Sequence, residues 1–132
     1  MKNLLLFLIT IPFVSCKFLL TANNADKHSS YSLTYYRRAK ADMPPIIVGQ
    51  VTSSALRERD KPLSGTFFMD GQRLALQDGE HINKYVFEVS SGTHRLQLVT
   101  ISYYTTEASF RIKPGDSLRI DFQLRPDQRP LY

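Results

Sequence analysis

From residue 46 onward the chain alternates apolar and polar residues with a period of two. The cleanest stretch is SLRIDFQL, where Leu118, Ile120, Phe122 and Leu124 fall on one side and Arg119, Asp121 and Gln123 on the other. Side chains of an extended chain point alternately to its two faces, so this pattern predicts a strand with one buried and one wet face. KYVFEV repeats it, with Tyr85, Phe87 and Val89 opposite Lys84, Val86 and Glu88. In THRLQLVTIS, Leu96 and Leu98 oppose Arg95 and Gln97, and in TEASFRIK, Phe110 and Ile112 oppose Arg111 and Lys113. IIVGQVTS, KPLSGTFFMD and RLALQ complete the set, the last with Leu74 and Leu76 on one face. Asp70-Gly71, Asp78-Gly79, the Ser-Ser-Gly ending at Gly92, and Pro114-Gly115-Asp116 supply turn signals between them.

About seven short strands at regular spacing, each bounded by Gly, Pro, Asp or Ser, predict an all-β sandwich or barrel. No segment of this region has the 3.6 period of an amphipathic helix. Polar outer faces predict antiparallel sheets, and a single strand pair buries too little, so two sheets must face each other. The expected fold is all-β: a seven-stranded antiparallel Greek-key β-sandwich over residues 46–132.

Before residue 46 the pattern changes. Met1 and Lys2 precede residues 4–14, an apolar run broken only by Thr10 and Pro12. The run is shorter than the roughly 20 residues a helix needs to cross hydrocarbon. It has the form of a signal-peptide apolar region. Cys16, the single cysteine of the chain, follows Phe13, Val14 and the small Ser15. F-V-S-C resembles the bacterial lipobox, with an apolar residue three before the cysteine and a small one directly before it; Phe13 replaces the commoner Leu. The resemblance implies that residues 1–15 are a lipoprotein signal peptide and that Cys16 is the lipidation site. A diacylglyceryl thioether, and usually an acylated amine such as palmitate supplies, would then anchor the chain. Two or more acyl chains hold a membrane stably where one does not. Lys17 stands where Asp would imply inner-membrane retention in many Gram-negative bacteria, so the expected address is the cell envelope, at the outer membrane.

Residues 16–45 read as a lipidated N-terminus and flexible tether. Asn, Ser, Asp, Lys and Ala dominate residues 21–30 without a period, and Pro44-Pro45 marks the start of the domain. Residues 31–36 fit either an extra strand or an aromatic patch. Tyr35, Tyr36, Arg37 and Arg38 are the candidate binding residues.

In the domain, the order G-Q-V, K-P-L-S-G-T-F, G-T-H-R-L-Q-L, S-Y-Y and I-K-P-G-D-S-L-R-I-D-F-Q-L resembles the carboxypeptidase regulatory-like family. Gly49, Val51, Pro62, Leu63, Gly65, Gly92, Leu96, Tyr103 and Leu124 take the places of that family's pattern, Asp78, Gly79 and Phe87 match its hairpin loosely, and Ser102 stands where the family has Gly before Tyr. M-D-G-Q with S-S-G-T-H-R-L-Q-L also resembles PEGA repeats. The resemblance implies a transthyretin-like (prealbumin-like) sandwich and a non-catalytic accessory role.

Composition narrows the chemistry further. The net charge of +5 is modest and scattered, with one dense cluster at Arg37, Arg38 and Lys40, and a basic surface most often simply solvates a face. One cysteine permits no intrachain disulfide and no CxxC site. His28, His81 and His94 match no zinc spacing, and Asp78, Glu80 and His81 crowd a loop that reads as solvated. No G-x-S-x-G elbow, phosphate-binding loop or supported carboxylate pair is present. Hydroxyisourate hydrolase shares the transthyretin-like fold, but its family ends in Y-R-G-S and this chain ends R-P-L-Y. The chain is therefore expected not to be an enzyme and to need no cofactor or metal. YSLTYYRRAK mixes stacking and charge as nucleic-acid binders do, yet an exported lipoprotein rarely meets nucleic acid, so no nucleic-acid partner is expected. The expected function is a protein-docking or structural module with an envelope protein partner; the alternative is a glycan or peptidoglycan binding module of an uptake system.

Overall fold

Nine strands and no helix run through the residues that the computed structural model describes, 18–20, 30–37, 42–57, 60–76 and 82–129. They are β1 (Phe18–Leu20), β2 (Ser30–Arg37), β3 (Ile46–Ser53), β4 (Gly65–Met69), β5 (Gln72–Leu74), β6 (Lys84–Glu88), β7 (Gly92–Thr100), β8 (Thr106–Ile112) and β9 (Asp116–Leu124). Each stretch with a period of two beyond residue 46 contributes one strand, although KPLSGTFFMD narrows to β4 and RLALQ to β5.

The strands form a five-stranded sheet, ordered β1-β2-β9-β3-β6, and a four-stranded sheet, ordered β5-β4-β7-β8. Alternation buries one face of each. Leu118, Ile120, Phe122 and Leu124 of β9 are fully buried, as are Leu96 and Leu98 of β7 and Ile112 of β8. Burying each such side chain contributes about 1.5–3 kcal/mol. Across the core, the Phe67 ring of β4 lies 4.5 Å from Tyr85 and 5.3 Å from Phe87, both on β6. The two sheets thus share one core.

Turn chemistry sets the chain reversals. Asp70 (φ 51) and Gly71 (φ 83) form a two-residue loop between paired Met69 and Gln72, and positive φ at both positions is the type I′ signature that matches strand twist. Pro114 and Gly115 (φ 78) make the turn from β8 into β9, closed by the Asp116 N–H donating to the Lys113 carbonyl at 3.1 Å.

Three sequence expectations change. The first is the tether. Residues 30–37, inside the segment read as linker, form β2, which pairs antiparallel with β9 from Ser30↔Gln123 to Arg37↔Asp116. Tyr31 and Leu33 are buried beneath it, and β1 extends the sheet by pairing with β2. The sandwich therefore begins before Ile46, because Tyr31, Leu33 and Tyr35 carry the alternation that a buried face requires. Second, the described residues hold nine strands rather than seven. Third, the sheets are not wholly antiparallel: β3 and β9 run parallel. The chain between them passes through the other sheet, which supplies the long crossover that parallel neighbours need.

That parallel pairing is incomplete in its middle. The register runs from Ile46↔Ser117 to Val48↔Arg119 and resumes at Val51↔Phe122. At the gap, side chains take over the backbone groups. The Tyr85 hydroxyl donates to the Ile120 carbonyl at 2.5 Å, and Asp121 Oδ1 accepts from the Gln50 N–H at 3.1 Å. Gly49 makes the Tyr85 crossing possible, since a Cβ there would fall on the Ile120 oxygen and the Tyr85 ring.

Candidate functional site

Of the residues singled out near the amino terminus, Tyr35 and Tyr36 do not share a face. Tyr35 and Tyr36 are neighbours on β2, so they face opposite ways. Tyr35 turns inward and is half-buried against the core. Burial pushes its phenol pKa above the usual value, opposed by a hydrogen bond from the Arg111 backbone on β8, with Asp116 adding to the rise. Tyr36 turns outward, 39% exposed, opposite Ser117. Arg37 is placed by its backbone pairing with Asp116. Cys16, Arg38, His28 and His81 lie outside the described residues.

The chemistry that alternation alone does not reveal is at His94. Residue 94 sits on the inward phase of β7, beside Phe110 at a ring distance of 5.8 Å. Its Nδ1 donates to Asp70 Oδ2 at 2.7 Å, and its Nε2 donates to the Ser90 carbonyl at 2.8 Å. Asp70 Oδ1 also accepts from the Arg95 N–H at 2.8 Å. The His94 side chain is 11% exposed. Burial works against its charge, but the Asp70 hydrogen bond, the Ser90 carbonyl and the Asp70 charge together outweigh burial and raise its pKa. Asp70 is correspondingly lowered, first by the His94 hydrogen bond and then by the Arg95 N–H.

Ser90 Oγ is 3.5 Å from His94 Nε2, so Asp, His and Ser stand in an order that resembles a hydrolytic triad. The Ser90 carbonyl lies closer to Nε2 than the Ser90 hydroxyl does, at 2.8 Å against 3.5 Å. A catalytic base needs a free lone pair on that nitrogen, whereas here it is directed at a carbonyl oxygen. Each ring nitrogen faces an oxygen acceptor, so when protonated the ring ties the β4–β5 turn to β7 and to the loop after β6. The sequence signal was available: Asp before Gly at a turn, and a His on the leucine face of a strand.

Two shallow grooves adjoin the four-stranded sheet. One, about 440 Å³, is lined by Gly65, Thr66, Phe67, Arg73, Leu74 and their neighbours to Leu76. The other, about 520 Å³, lies over Asp70, Gly71, Thr93, His94, Arg95 and Ser109. The outer face of that sheet carries Arg73, Phe68, Gln97 and Glu107 in one row across its strands. Arg95 pairs with Glu107 at 3.2 Å while remaining well exposed. Among the described residues, no group of three or more His, Cys, Asp or Glu side chains could hold a metal ion.

Comparison of the chain with protein-family models, with curated proteins and with solved structures finds no match.

Proposed function

We propose that this chain is a membrane-anchored envelope lipoprotein, lipidated at Cys16 and held at the outer membrane. Its sandwich would be a non-catalytic docking or structural accessory module with a transthyretin-like Greek-key fold. The observation that carries the reading is the lone cysteine directly behind an apolar run and a small residue. A lipidated sulfur leaves no free thiol, and the Asp70–His94–Ser90 geometry argues for a clamp rather than a base. The family resemblance gains support from Ser102, whose φ is 66. The carboxypeptidase regulatory-like pattern has Gly there, the residue for which positive φ is unstrained.

A second reading, a glycan or peptidoglycan binding module, is favoured by the arginine-bearing grooves of the four-stranded sheet. In-cell crosslinking separates the two. Recovery of a defined envelope protein, lost when Arg73 and Arg95 are replaced by Glu, supports docking. Retention of the purified protein on peptidoglycan or a glycan array, with no protein crosslinked, supports the second reading and overturns the first.

A further inference from the structure

Each open sheet has two edge strands, whose outward N–H and C=O groups can template another strand. Here the edges are β1 and β6 in one sheet and β5 and β8 in the other. β1 and β5 have three residues each, and β8, although seven residues long, lies against β9 of the facing sheet. β6 differs. Among the described residues its five positions pair with β3 alone, and two flanking bonds fix the phase of that ladder: Val89 N–H donates to the Pro45 carbonyl at 3.0 Å, and Val51 N–H to the Asn83 carbonyl at 2.9 Å. Residues 83 and 89 therefore aim their backbone groups at β3. In an antiparallel ladder the direction reverses at each residue, so Tyr85 and Phe87 also aim inward. The N–H and C=O of Lys84, Val86 and Glu88 point out of the open edge.

We propose that two copies of this chain pair antiparallel along β6, about a two-fold axis at Val86, and so join their five-stranded sheets into one continuous sheet. In that register Val86 faces Val86 of the second copy, and Lys84 faces its Glu88, twice over. These three residues are the ones with outward backbone groups, so all three facings are hydrogen-bonded pairs, each exchanging two bonds. Their side chains share the exposed face of the strand. Directly opposed residues on one face interact, and opposite charges there are favourable. Val86 is 55% exposed on this otherwise charged strand face and would be covered by its own copy.

The alternatives fail on the same features. Parallel pairing sets Lys84 beside Lys84. A slip of two residues opposes Val86 to a charge, and a slip of one opposes outward to inward backbone groups. A lysine on an edge strand ordinarily repels strand addition. With glutamate four residues on, it matches only a strand carrying the reverse order, which its own copy supplies across a two-fold axis. The inference does not depend on the lipid anchor.

Sedimentation of the purified full chain, in detergent and up to millimolar protein, tests it. The interface is small, so a weak, concentration-dependent dimer is expected. Lys84→Glu should abolish it by setting carboxylate against carboxylate, and adding Glu88→Lys should restore it. All three positions are solvent-exposed, so folding is retained and is checked by circular dichroism. A monomer at every concentration, a dimer indifferent to Lys84→Glu, or a loss that the second substitution does not repair would each overturn the proposal.

Discussion

At the scale of single residues, two positions show how the core is finished. Tyr85 crosses beneath Gly49 to satisfy the Ile120 carbonyl where the parallel ladder lapses. Tyr85→Phe leaves that carbonyl unpaired and buried, which costs about 1–3 kcal/mol. Denaturant unfolding should show the midpoint fall with an unchanged slope. Ser102 holds a left-handed conformation that a Cβ disfavours. Ser102→Gly should raise stability by about 0.5–1 kcal/mol, the strain removed exceeding the added chain entropy. Neither feature can be read from the alternation. Gly49 looks like a strand glycine of no special role until the ring passing under it is seen.

At the scale of elements, the clamp on the β4–β5 turn couples the hairpin to pH. His94 has a raised folded pKa against an ordinary value of 6.5. Its contribution is full below that ordinary value and fades as pH rises through the folded pKa. Asp70 is lowered from 3.8, so its contribution holds above that value and fades as pH falls through its folded pKa. The clamp is thus strongest in mildly acidic solution. Asp70→Asn keeps a residue that tolerates positive φ but removes the charge, so NMR titration of the His94 ring should show a lower pKa than in the parent chain. β2 supplies a sharper test. Leu33 is 6% exposed on it, and Leu33→Ala should cost about 2–5 kcal/mol. A residue on a solvated linker would cost almost nothing. The strand was legible in part: Tyr31, Leu33 and Tyr35 alternate as cleanly as the residues of β9. The polar run before them and Tyr36-Arg37-Arg38 after them blur that signal into tether.

At the scale of the whole molecule, periodicity identified which residues face the core but not which strands are neighbours. A period of two fixes the face of a strand and carries no information about its partner. For that reason the burial of Leu118, Ile120, Phe122 and Leu124 was foreseeable, and the seating of β9 between β2 and β3, antiparallel to the first and parallel to the second, was not. The two tyrosines among the binding candidates separate for a related reason. Aromatic and basic residues adjacent in sequence read as one patch, yet a strand sends Tyr35 and Tyr36 to opposite faces. The arginines of the four-stranded sheet's outer face, distant in sequence, are gathered by strand register instead. The functional reading itself turns on Cys16. Metabolic labelling of expressing cells with palmitate, followed by recovery of the full chain, tests it most directly. The parent chain should carry label and partition with membranes, and Cys16→Ala should carry none and lose that partition. Equal labelling of both, or no labelling of the parent chain, would contradict the anchored-lipoprotein account.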